Sequence, residues 1–219
     1  FEAQLLLLLD SLKKNDFKSA AHYVKVFKKD REPKSFEYYI ASILEEYVYL
    51  FSNNQIKSNS DVGLVKFNLI NKALQSCYLG EPNTHIWFKE IIGRDNAGYS
   101  RYIFFYINFL LEKNNNKEIE EVIKSIDPLN SNLLVSQTKD WIEEKNFSTI
   151  KKIFSCRNPN NLISEILFVI SSIYSNEGYL KESNFYFNLS NYFNKKFKYN
   201  FSQLSENYFE NKKFKEAKF

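Results

Sequence analysis

From residue 165 onward the sequence repeats itself at a fixed interval. Ile170, Ser171, Tyr174, Leu180 and Ser183 are answered by Leu204, Ser205, Tyr208, Phe214 and Ala217, and the two members of every pair are separated by the same period of 34. Self-similarity at such a period marks an array of structural repeats, in which a unit buries its apolar face only by stacking on a neighbour. The rest of the chain is therefore read as repeats too. With 44% apolar and 17% aromatic residues there is ample material for a core, which argues against disorder. Glycine (5) and proline (4) are scarce, as an all-α chain requires. Repeat arrays grow by addition, so 219 residues are expected to form one continuous domain over 1–219.

A period of 34 with these residue types resembles the tetratricopeptide repeat, a helix-turn-helix unit of that length. The resemblance implies a right-handed α-solenoid of antiparallel helix pairs with small residues where paired helices touch. Ser171, Ser183 and Ser190 stand at those small positions, and 176–180 (Asn-Glu-Gly-Tyr-Leu) looks like the turn between the helices. Near the N-terminus, 15–20 (Asn-Asp-Phe-Lys-Ser-Ala) matches the same turn, with Phe17 at the aromatic position and Ala20 at the small one. Units at 31–98 are irregular and those at 99–219 regular. In this the chain is similar to bacterial tetratricopeptide proteins, many of them exported. Periplasm and cytoplasm both stay open.

About a dozen helices are expected. Leu5, Leu8, Leu9 and Leu12 recur at helical spacing, and a second helix through Tyr23, Val24 and Phe27 ends before Pro33. A long apolar pattern over 35–53 is followed by an insertion at 54–60. The next helix, over 61–79, is capped by Ser60 or Asp61 and presents Leu64, Phe67 and Ile70. A short return helix over 85–92 and a turn at 93–98 lead into the regular half. In the last unit Phe214 and Ala217 open a helix that the sequence does not finish, so Phe201, Leu204 and Tyr208 are expected to form an exposed apolar strip. The native chain is then expected to continue, and this uncapped end to favour self-association.

The chemistry of catalysis is missing. There are two histidines, His22 and His85, and neither has a carboxylate and nucleophile nearby in sequence. Glycine-rich phosphate loops and paired-cysteine zinc motifs are absent, so no enzyme activity, cofactor or metal is expected. Cys77 and Cys156 read as free thiols at small buried positions. The net charge of +4 comes from 30 basic and 26 acidic residues, interspersed, with no basic stripe for nucleic acid. Leu5–Leu9 is far shorter than the ~20 apolar residues that span a bilayer. It has no basic region before it, although the chain opens on Phe1 and leaves an upstream signal sequence open.

The resemblance implies that the first helix of each unit lines an inner groove. Position by position this gives Arg101, Phe104 and Asn108, then Val135 and Lys139, then Phe168 and Ser172, then Ser202 and Glu206. The row departs from the Lys/Asn clamp with which tetratricopeptide co-chaperones grip acidic tails, because Leu5 and Leu9 occupy the corresponding places in the first unit. The function expected is a non-catalytic scaffold for a partner protein or peptide. RNA binding by a helical repeat array is the alternative, but Phe104, Val135, Phe168 and Ser202 share no repeating polar code. A further alternative is the regulatory arm of an enzyme whose catalytic domain lies elsewhere.

Overall fold

The computed structural model describes residues 2–29, 31–57, 65–93, 100–127, 131–210, 212, 213, 215, 217 and 218, apart from the side chains of Val65, Lys66 and Gln203. The described residues are all-helical, with twelve α-helices and no strand among them. None of these helices is long and apolar enough to cross a membrane. The chain forms two compact units, Phe1–Ile91 and Ile92–Phe219.

In the first unit α1 (Glu2–Lys13) packs on α2 (Phe17–Lys29), and α2 on α3 (Phe36–Asn53). The leucine spacing of α1 places Leu5, Leu8, Leu9 and Leu12 on one buried stripe. Asn15, at φ 57°, ends α1 in the left-handed conformation. Its N–H donates to Leu12 O, and that of Asp16 to Ser11 O. This double bond satisfies the orphan carbonyls of a helix end. Asp16 then caps α2 by accepting from the Ser19 N–H at 3.1 Å, and this contact holds its carboxyl below the ordinary range.

Ser35 caps α3 through the Tyr38 N–H, and Asn54 closes it at φ 52°. Residues 55–57 are not helical, and α4 (Val65–Leu79) follows. The expected caps Ser60 and Asp61, the contact of Leu64, the rest of the insertion and most of the 93–98 turn lie outside the described residues. Tyr47 Oη donates to Asn71 at 3.1 Å. Further along, the Phe51 and Tyr78 rings meet at 5.1 Å. Gln75 Nε2 also donates to Glu46, so α3 and α4 meet through their side chains, with no helix described between them. The short return helix is α5 (Thr84–Ile92).

The second unit comprises α6 (Tyr102–Glu112), α7 (Asn116–Lys124), α8 (Leu133–Glu143), α9 (Phe147–Ile153), α10 (Pro159–Asn176), α11 (Leu180–Phe193), a 3-10 turn (Lys198–Asn200) and α12 (Phe201–Glu210). One turn recurs through it. Asn114, Lys145, Gly178 and Lys212 all have positive φ, and their numbers place them close to one repeat period apart. At each, that residue's N–H reaches back three residues and the next N–H reaches back five, as in Gly178 to Ser175 O and Tyr179 to Tyr174 O. The period read in side chains is thus also a period of backbone geometry.

The small positions pack as expected. Ser171, Ser183 and Ser190 are fully buried. Ser171 Oγ donates to Ser183 O at 2.8 Å, and Ser164 Oγ to Ser190 O at 2.8 Å. Advancing seven residues on α10 means retreating seven on α11, so the two helices are antiparallel. Asn200 and Asn207, also seven apart, donate to Ser190 and Ser183 from the next layer. The relation even carries across the repeat: Ser205 Oγ donates to Ala217 O, the pair that lies one period beyond Ser171 and Ser183.

Two expectations are corrected. Leu204 is 4% exposed, and Phe201 is half-buried with its ring 5.5 Å from that of Phe187. The exposed strip is not formed, because α12 lies on α11 and is covered from that side; the exposed aromatic of α12 is Phe209. The aromatic residues of α6 are buried. Residues 104–111 are buried all round, with the Phe105 ring 4.5 Å from Phe154 and 5.7 Å from Phe197. Finally, Cys77 and Cys156 are buried, but neither is a free thiol; spacing along the sequence carries no information about oxidation state. Phe214 and Phe219, expected in a last partial helix, lie outside the described residues.

Candidate functional site

The regular half of the chain holds a groove of about 930 Å³ whose walls come from α8, α10 and α12. Its floor is anchored by Arg101, which immediately precedes α6. One terminal nitrogen, Nη2, donates to Glu165 Oε2 and to Asn200 Oδ1, both at 2.8 Å. The guanidinium lies 3.8 Å from the centre of the Phe168 ring, and the Phe197 ring is 5.4 Å away on another side. A planar cation that is weakly hydrated suits such stacking better than an ammonium would.

Glu165 explains why Arg101 is held there. It sits on α10 at 2% exposure and accepts a second hydrogen bond from Tyr102 Oη at 3.2 Å. Burial pushes its carboxyl above the ordinary range, while the charge of Arg101 and the hydrogen bonds from Tyr102 and Arg101 pull it back in part. Arg101 Nε is buried without a partner among the described residues. The floor charge is therefore consumed by an internal ion pair.

Five of the nine residues expected on the inner surface line this groove together: Arg101, Phe168, Ser172, Ser202 and Glu206. Three others do not. Phe104 and Asn108 are fully buried because α6 is surrounded on all sides, and Val135 is fully buried on α8. Asn108 spends its amide on Phe154 O at 2.8 Å, and the Phe104 ring packs 5.6 Å from Phe197. Lys139 is half-buried, with its ammonium directed to Ile126 O at 3.4 Å, and is outside the groove.

The groove also includes residues that the row of positions missed: Asn132, Leu133, Asn176, Lys198 and Tyr199 among them. Asn176 was reachable from sequence, since it continues the i, i+4 row of Phe168 and Ser172 by one turn. Lys198 and Tyr199 were not, because they lie in a 3-10 turn that the helical register does not contain. Tyr199 is steered by Gln137, to which its hydroxyl donates, and by the edge of Trp141.

A smaller groove of about 490 Å³ lies between α7, α8 and α9, floored by Ile119, Ile123, Ile142 and Phe147. Neither groove has a histidine in its lining; in the first unit the His22 ring meets Tyr23 edge-on, and His85 Nδ1 donates to Pro82 O at 2.6 Å.

Comparison with protein-family models, with curated proteins and with solved structures finds no match to the chain.

Proposed function

We propose that this chain is a non-catalytic scaffold of tetratricopeptide type, built as a right-handed α-solenoid, that binds a protein or peptide partner in the groove of its regular half. The observation that carries this reading is the convergence of Arg101, Phe168, Ser172, Ser202 and Glu206, chosen by repeat register alone, on one groove. The recurring left-handed turn and the antiparallel α10–α11 pair support the repeat reading. The mixed lining of hydroxyl, amide, aromatic and oppositely charged groups suits a polypeptide better than a polyanion, which favours protein over RNA as the partner.

The test is selection of 12-residue peptides from a random displayed library on the full chain, followed by binding measurements on a variant with the groove filled, Ser172→Trp. Selected peptides should bind at least ten-fold more weakly to that variant and equally well to Glu120→Lys, at the rim of the smaller groove. Equal affinity for the chain and for Ser172→Trp, or selective binding of single-stranded RNA, would contradict the proposal.

A further inference from the structure

The charges of the groove are unevenly committed. Arg101 is neutralised by Glu165, which leaves Lys198 and Glu206 as the formal charges on the groove wall. Both are exposed, and neither forms an ion pair among the described residues. Ser202 and Glu206 lie one helical turn apart on the same side of α12, and Lys198, in the 3-10 turn that leads into it, lines the groove with them. From the rises of the two helix types, Lys198 and Glu206 stand about 13 Å apart along that wall. On α10, Asn176 is exposed, and a primary amide can both donate to and accept from a peptide bond. Leu133, 66% exposed, adds an apolar contact.

We infer that the groove selects an extended peptide carrying two side chains of opposite charge about four residues apart, the acidic one against Lys198 and the basic one against Glu206. An extended chain advances ~3.3 Å per residue, so four residues span the roughly 13 Å between the two wall charges. Opposite charges at the two ends also fix the direction in which the peptide lies. A uniformly acidic or uniformly basic peptide would meet repulsion at one end, which is how charge placement discriminates between partners. The inference rests on the peptide-binding reading and goes beyond it by naming the pattern that is bound.

The experiment is a parallel selection from the same displayed library on the unaltered chain and on the double variant Lys198→Glu/Glu206→Lys. Both residues are exposed, and unchanged circular dichroism and melting would verify that the variant folds. Peptides from the unaltered chain should carry an acid and a base three to five positions apart, in one preferred order, and peptides from the double variant should carry them in reverse order. Reversing one wall charge should weaken a selected peptide about five-fold, in the range of exposed ion pairs. Reversing the matching peptide charge should restore binding. Peptides that lose affinity on Ser172→Trp yet carry no charge pair, or the same order from both selections, would overturn this inference and leave the scaffold reading in place. Absence of any peptide sensitive to Ser172→Trp would overturn both.

Discussion

Ser164 and Ser190 exchange hydrogen bonds across the α10–α11 contact: the hydroxyl of Ser164 reaches the carbonyl of Ser190 at 2.8 Å, and that of Ser190 reaches the carbonyl of Ser164 at 2.7 Å. One heptad away Ser171 does the same toward Ser183. Small residues let the two backbones approach, and their hydroxyls then find partners without solvent, so the contact is close-packed and polar-satisfied at once. This is the local rule by which a helix pair of this sequence closes.

Overpacking that contact should be costly. Ser183→Phe inserts a ring where the side chain is fully buried and should destabilise by about 1–3 kcal/mol. Ser183→Ala should cost less, about 0.5–1.5 kcal/mol, through the loss of the hydroxyl to which the Asn207 amide donates at 2.7 Å. Urea midpoints would measure both.

The Arg101–Glu165 pair predicts an asymmetry. Arg101→Met leaves a carboxyl at 2% exposure without its counter-charge and should cost roughly 3–5 kcal/mol at neutral pH. Glu165→Gln keeps one oxygen acceptor for the two donors, Tyr102 and Arg101, leaves no buried anion, and should cost less. Burial already raises the folded carboxyl value above its unfolded value of 4.5, and loss of Arg101 raises it further. Stability is then greatest below the unfolded value and is lost as pH rises through the folded one. The deficit of Arg101→Met should accordingly shrink as pH falls from neutrality toward the unfolded value of 4.5. Denaturant titrations at several pH values would test this.

In the first unit Glu46 is 5% exposed, and its carboxylate accepts from Gln75 Nε2 at 3.1 Å. Burial raises its carboxyl, against partial opposition from the Gln75 hydrogen bond and the charge of Lys57. A raised folded value again means stability lost as pH rises through it. Glu46→Gln should remove that loss and raise stability at pH 7 by on the order of 1 kcal/mol, with little change at acid pH. Melting curves of the two proteins across pH 4 to 8 should converge on the acid side.

Gly178 occupies the recurring turn at φ 79°, and an added Cβ there would meet nothing within 4 Å. The cost of Gly178→Ala is therefore purely conformational, about 1 kcal/mol, and should appear as a lower melting temperature without any loss of helix signal.

The all-α class, most helix limits and the buried serines were legible in the sequence, because each rests on local periodicity or on a pair one repeat period apart. Arg101, Phe168, Ser172, Ser202 and Glu206 were legible for the same reason. Phe104 and Asn108 were misplaced because register tells which side of a helix a residue is on, whereas α6 is covered on every side, and Val135 because register does not tell which side of α8 its neighbours cover. Glu165 was hidden for a different reason: a lone acid in an apolar helix acquires meaning only when Arg101, far earlier in the chain, is seen to meet it. Lys198 and Tyr199 belong to a turn with no periodic signal.

The central claim is that the groove between α8, α10 and α12 is where a partner binds. Backbone chemical shifts followed while a library-selected peptide is titrated into the labelled chain test it most directly. The largest saturable changes should fall on Phe168, Ser172, Ser202 and Glu206, with Ile119, Ile123 and Phe147 in the smaller groove unmoved. Largest changes at Ile119, Ile123 and Phe147, with the α8–α10–α12 groove silent, would contradict it.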